Sequence, residues 1–405
     1  MGTLRAISSA RGQIATKGPL ALKVVERPRY YEGELCSPDE LYGVPAHSLH
    51  QLCPLPFEIH PAAISAVIHS LTKREDTVLD PFCGSGAVGL EAGLSERDFI
   101  LSDIDPVALT VAAAKVRPSD LTEVALWLQM SPLSTPASFD GFEEVFSHFY
   151  AAETFRELSA LRRLLSTRKD RLSHFLRGLS LGLLHGRGAG SFSVYSPAER
   201  ALSVDRQREL NEKRNHFPDY RAIAPRLLRK SAVTLQDGIP SILFKREQRT
   251  RIALSDPREL GHVKTGTVDL VLTNPPIPRH RVVKGGNWLR SWFIGTKGQD
   301  RFLEFVNPSS WENRMNEVLV ESARVCRPAG RMALFCDRRF LNASEVSGVR
   351  DRLLRVVEGE LSYYWEPECF LSMPQQKVSI TGRKQADGMM RLKSDPEGVL
   401  VLRRK

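Results

Sequence analysis

Apolar positions along the chain follow two rhythms. Ile64, Val67, Ile68 and Leu71 recur at helical spacing and aim one face at a core. "DTVLDPF" is a short apolar run that predicts a buried strand, "CGSG" a turn, and "AVGLEAGL" the opening of a helix. "DFILSDIDP" predicts a second strand ending in acids, and "ALTVAAAKV" a second helix. Strand, glycine turn, helix, strand is the βαβ unit of a doubly wound parallel α/β sheet. The rhythm resumes in "RIALSDPREL" and "DLVLTNPP", followed by a helix through "ENRMNEVLVESARVC", a turn at "RPAG" and the strand "RMALFCD". "LSYYWEPE", "QKVSITGRK" and "GVLVLRRK" predict closing antiparallel strands.

Between about Arg117 and Lys245 the βα alternation stops. Phe142, Val145, Phe146 and Phe149, then Leu158, Leu161 and Leu165, form a helical stripe, and "HFLRGLSLGLLHGR" predicts a helix ending at Gly186. The stretch that follows is polar and reads as loop. The expected organisation is an N-terminal arm over 1–45, a sheet domain over 46–116 and 246–405, and an inserted substrate-recognition region over 117–245. The arm is strand-poor in this reading. No internal repeat or low-complexity segment is evident.

The 405 residues allow a substantial core. No apolar run approaches the ~20 residues that span a bilayer, and "MGTLRAISSARGQIATKGPL" lacks the apolar centre of a signal peptide. A soluble, cytoplasmic protein without a membrane partner is expected. The six cysteines form no C-x-x-C pair, so neither a metal site nor a disulfide framework is predicted. A formal charge of +10 favours a polyanionic partner. Residues 185–230 carry ten Lys or Arg against five Asp or Glu, so the local excess falls on the insertion. A solvated face is the ordinary reading of a charge run, but a stretch this long inside a sheet domain also suits substrate contact.

Gly84 and Gly86 lie between strand and helix, where lack of a side chain admits a ligand to the backbone. The helix N-terminus offers unpaired N–H groups to an anion. The Gly-Ala that follows is not the Gly-Lys-Ser/Thr of a phosphate loop. Asp80, Asp103 and Asp256 fall at the ends of three predicted strands, and Asp103 comes seventeen residues after Gly86. Carboxylates there sit in the ligand crevice, where an acid binds ribose hydroxyls. The three together favour a nucleoside ligand.

"DPFCGSG", "SDIDP", "SDPREL" and "TNPP", in that order, resemble the S-adenosylmethionine-dependent amino-methyltransferases, and most closely the prokaryotic DNA methylases of adenine N6 and cytosine N4. The similarity extends to "FEIHP", "LGLLHGR", "NWLRSWFIG" and "ARVCRPAGRMALF", from His47 onward. It implies a Rossmann-like methyltransferase sheet and S-adenosyl-L-methionine as cofactor. Phe57 and His60 would lie beside the methionine moiety. Asp80, Pro81, Phe82, Gly84 and Gly86 would cradle that moiety; Asp103 and Ile104 would meet the ribose, and Asp256 the adenine. In that family the Asn side-chain oxygen and the first proline's carbonyl, here Asn274 and Pro275, grip the amine of a flipped base. Pro276 stiffens the loop and brings no competing N–H. Position 277 departs: Ile277 stands where the family has an aromatic ring, whose stacking is worth about 1–3 kcal/mol. Ala87 replaces a usual Thr or Ser. Trp288, Trp292 and Phe293 are the nearest rings in sequence that could substitute.

The resemblance implies methylation of DNA, with a restriction or defence partner. The alternatives are an RNA base-amine methyltransferase and a nucleic-acid-binding homologue weakened by Ile277.

Overall fold

The computed structural model describes residues 30–35, 37, 43, 45–55, 58–135, 138–198, 200–277, 287–296, 304–307, 309–336, 348–373 and 398–405. The strands are β1 (Tyr31–Glu34), β2 (Thr77–Asp80), β3 (Asp98–Asp103), β4 (Arg251–Leu254), β5 (Val268–Thr273), β6 (Cys326–Cys336), β7 (Trp365–Ser372) and β8 (Gly398–Arg404). They form one sheet in the order β1-β7-β8-β6-β5-β2-β3-β4. β8 runs antiparallel to β6 and β7, and the other pairings are parallel. The doubly wound reading with an antiparallel closing strand is therefore correct.

Helices are α1 (Pro61–Leu71), α2 (Ala87–Leu94), α3 (Pro106–Val116), α4 (Leu121–Met130), α5 (Ala152–Ser166), α6 (Arg171–Leu181), α7 (Val204–Arg214), α8 (Ile223–Thr234), α9 (Ser241–Arg246), α10 (Trp288–Ile294), α11 (Trp311–Val325) and α12 (Val349–Glu358). Successive strand residues point to opposite faces, and both faces are covered. Val78, Leu101, Leu270, Leu272, Ala333 and Phe335 enter one core. Leu79, Ile100, Val271, Met332, Leu334 and Leu400 enter the other. That is why the central strands read as continuous apolar runs rather than alternating ones. Each fully buried Leu or Val in such a layer contributes about 1.5–3 kcal/mol.

The residues between β3 and β4 share the first core. Phe146, Phe149, Phe155, Leu158, Phe175 and Leu227 cluster with residues of α1, α2 and α3. The contact between α3 and α6 is close: a Cβ at Gly178 would stand 2.3 Å from the Cβ of Ala114.

Several local expectations change. Tyr31–Glu34 is not a covering arm but an edge strand pairing with β7; four residues with no apolar alternation carry no strand signal. "RPAG" is an excursion inside β6 rather than a break before it: the step from Val268 to Leu270 on β5 faces Cys326 to Arg331 on β6, with Ala329 at φ +59°. The helix expected to reach Gly186 ends at Leu181, where a Cβ at Gly182 would lie 2.5 Å from the carbonyl of Leu52. The Phe142 stripe is a single π-helical turn, Phe142–Phe146, broken before α5. The polar stretch expected as loop holds α7 and α8. "QKVSITGRK" lies outside the described residues.

Candidate active site

The sheet reverses its winding at β2, which has β3 on one side and β5 on the other. Ligand crevices of α/β sheets open at the carboxyl ends of strands beside such a switch point. Asp80 ends β2, Asp103 ends β3, and Asn274 follows the last residue of β5. Neighbouring parallel strands thus bring together residues that are nearly two hundred apart in the chain.

Asp80 is buried and accepts a hydrogen bond from Thr273 Oγ1 at 2.7 Å. It also accepts from the Phe82 N–H at 3.1 Å, which fixes the first step of the turn. This side-chain link ties the glycine turn to the residue preceding Asn274. Burial pushes the Asp80 carboxyl up to about 7, the hydrogen bonds from Thr273 and Phe82 oppose the rise, and the charge of Asp103 adds to it.

The turn itself is held against β3. The Cys83 N–H donates to the Ser102 carbonyl at 3.0 Å, and the Gly84 N–H donates to Asp103 Oδ2 at 2.9 Å. Gly84 and Gly86 have φ of +50° and +80°, a left-handed backbone that favours glycine. A Cβ at Gly84 would meet nothing within 4 Å, whereas one at Gly86 would stand 2.8 Å from Ala112. Gly84 leaves open space and Gly86 permits close packing.

Asp103 Oδ1 also accepts from the Asp105 N–H at 2.9 Å. A carboxylate has about four lone-pair sites, so two backbone bonds leave capacity for ribose hydroxyls. Burial pushes its carboxyl up to about 6 against the pull of those N–H groups. Ile104 is buried in the second core, Pro81 is buried, and Phe82 packs edge-on against Phe305 with centroids 5.3 Å apart. These residues fit a nucleoside with a charged tail: an open backbone cradle, then a carboxylate with spare acceptor sites. Asp256 differs, because Arg258 Nε donates to its Oδ1 at 2.9 Å and Arg258 Nη2 to its Oδ2 at 2.6 Å. Its carboxylate is therefore already shared with a guanidinium, which lies 5.2 Å from the Phe305 ring.

His60 caps α1, its Nδ1 accepting from the Ala62 N–H at 3.3 Å. Phe57 lies outside the described residues. Pro275 and Pro276 are buried and Asn274 is half-buried. The Pro276 carbonyl accepts from Trp311 Nε1–H at 2.7 Å, which pins the loop to the start of α11. Trp311 and Thr273 carry no signal in the sequence, since each acts through a partner distant along the chain.

Ile277 packs against the second core, while Trp288 and Trp292 pack against the first. Trp292 lies 4.6 Å from Phe146 and Trp288 lies 5.5 Å from Phe149, centroid to centroid. Phe293 is buried. The rings offered by sequence as replacements are thus committed to packing on the other face. Among the described residues there is no cluster of metal-ligating side chains, and no helix is long and apolar enough to cross a membrane.

Residues 42–114, which contain the glycine turn and Asp103, match the DNA methylase family. No curated protein matches the chain. Among solved structures, an rRNA methylase from Streptococcus thermophilus aligns at 8% identity and TM-score 0.31, over 84% of this chain and 93% of its own. A TehB-like SAM-dependent methyltransferase from Corynebacterium glutamicum aligns at 10% identity and TM-score 0.31, over 84% and 85%. Superpositions this loose say nothing about substrate. The chain resembles S-adenosyl-L-methionine-dependent methyltransferases of the N6/N4 DNA methylase type, with S-adenosyl-L-methionine as the cofactor.

Proposed function

We propose that the protein transfers a methyl group from S-adenosyl-L-methionine to the exocyclic amine of adenine or cytosine in DNA. The observation that carries this reading is the hydrogen bond from Thr273 to Asp80, 2.7 Å long, which sets the cofactor turn beside Asn274. When bound, the cofactor supplies an electrophilic methyl on a sulfonium. An exocyclic amine is a poor nucleophile because its lone pair is conjugated into the ring. The Asn274 side-chain oxygen and the Pro275 carbonyl would accept hydrogen bonds from its two N–H groups and draw the nitrogen toward tetrahedral geometry, turning the lone pair outward; the proton that the methylated nitrogen must lose passes to solvent. Alignment and prearranged acceptors supply the rate enhancement. Asp103 would hold the ribose, and Asp256, with Arg258, would hold the adenine of the cofactor.

DNA is favoured by the family match over residues 42–114, and the net charge of +10 suits a nucleic acid of either kind. The insertion also presents exposed rings at Phe217 and Tyr220, 57% and 54% accessible. We assign it to substrate contact, since phosphate contacts position a nucleic acid while base contacts specify it. The test uses purified protein, methyl-labelled cofactor and, separately, duplex DNA and total RNA. Label recovered as N6-methyladenine or N4-methylcytosine in DNA is expected, and Asn274→Ala removes it. Label in RNA alone transfers the reading to RNA; cofactor binding without transfer to either overturns it.

A further inference from the structure

Behind the glycine turn lies a buried cation that the proposed reaction does not use. Lys115, on α3, is 0% exposed, and its Nζ donates to Ser85 Oγ at 2.7 Å. Ser85 sits between Gly84 and Gly86 and is 3% exposed. The nearest carboxylate, Glu58, stands 3.9 Å from Nζ, beyond hydrogen-bond reach, and its Oε1 has no hydrogen-bond partner among the described residues. A fully buried ammonium is expensive unless paired and hydrogen-bonded, and here the ion pair with Glu58 is held too far apart to hydrogen-bond.

The Ser85 oxygen is occupied as an acceptor by Lys115, which leaves the hydroxyl proton to be donated elsewhere. It belongs to the turn whose open side, at Gly84, would hold a ligand. Resting on the cofactor reading above, we propose that Lys115 is a positioning residue for the carboxylate of the cofactor's methionine moiety. It acts through Ser85: the ammonium orients the hydroxyl outward and compensates the ligand's negative charge from behind the turn. Lys115 thereby selects ligands that carry the amino-acid tail over nucleosides that lack it.

The experiment compares two ligands by calorimetry, S-adenosylhomocysteine and 5′-methylthioadenosine, which share the nucleoside and thioether but differ in the amino-acid group. Lys115→Met keeps the buried volume, and Ser85→Ala removes only the relay. Removing one member of a buried ion pair is destabilising because the other charge stays behind, here Glu58, so melting curves accompany the titrations. Both variants are expected to lose about tenfold in affinity for S-adenosylhomocysteine, the scale of a charge-assisted hydrogen bond. Their affinity for 5′-methylthioadenosine is expected to stay unchanged. Equal losses for both ligands, or no loss for either, overturn the role of Lys115 while leaving the cofactor site standing. Should Lys115→Met not fold, Ser85→Ala decides by the same ratio. Wild-type protein that binds neither ligand overturns the cofactor reading and this one with it.

Discussion

Asp80 and Asp103 are carboxyls whose burial opposes ionisation, at about 7 and about 6 respectively. Their folded-state values lie above the ordinary carboxylate range near 4. Between roughly pH 4 and the folded values, the native chain holds protons that the unfolded chain has released. Stability from these two groups is therefore complete at the acidic end and falls as pH rises through about 6 to 7. Thermal melts of Asp103→Asn, set beside wild type between pH 5 and pH 8, should show a smaller decline. Cofactor affinity should move oppositely, because ribose hydroxyls donate best to the ionised carboxylate; S-adenosylhomocysteine titrations should tighten from pH 5 to 7.5. Ile277 belongs to this scale too. Ile277→Tyr should restore a stacking face and raise transfer about tenfold, with stacking worth about 1–3 kcal/mol. Unchanged turnover in that variant, with DNA still bound, would show that the base is held otherwise.

Among elements, the Asn-Pro-Pro loop and α11 work as a pair. The indole N–H of Trp311 is the tertiary bond that fixes the Pro276 carbonyl, one residue beyond the carbonyl proposed to grip the amine. Trp311→Phe preserves most of the apolar bulk and removes that donor. The buried carbonyl is then left unpaired, which costs about 1–3 kcal/mol. Methyl transfer should fall while cofactor affinity holds; a parallel fall in both would make Trp311 a general packing residue. The contact of α3 with α6 is less forgiving. Gly178→Ala forces a Cβ into the space of Ala114, and overpacking of this kind costs typically about 1–3 kcal/mol. A lower melting temperature with an unaltered ratio of ligand affinities is the expected outcome.

At the level of the whole molecule, the insertion is joined to the sheet domain by a common core. Its most polar helix, α7, is anchored by amides rather than by an apolar face. Gln207 donates to the Tyr195 carbonyl at 2.9 Å and to Asn211 Oδ1 at 2.8 Å, and Asn211 donates to the His148 carbonyl at 2.8 Å. One cooperative thermal transition is expected, and a fragment of residues 117–245 should not fold alone, because its apolar side would be stripped of α1–α3. Circular dichroism of the fragment checks this; native-like helicity with a cooperative melt would contradict it. Binding of duplex DNA through the basic surface should weaken steeply with salt, by at least roughly tenfold between 50 and 200 mM.

The amino-acid order alone determined the parallel sheet, the glycine turn and the acids that end β2 and β3, because each is written in short-range terms: apolar runs, a glycine pair, a charge closing a strand; Asp256 lies two residues past the end of β4. It determined the type of α1, α2, α3 and α11 for the same reason. It could not show α7, whose burial rests on two amides and leaves no apolar stripe, nor β1, which is too short for a pattern. Only the tertiary structure decided that Thr273 joins the two halves of the site, that Trp311 holds the proline loop and that Lys115 lies behind Ser85. It also committed Trp288 and Trp292 to the face opposite Ile277. Each of these depends on which chain segments become neighbours across the sheet, and pairing over so long a separation is set by packing and not by local spacing.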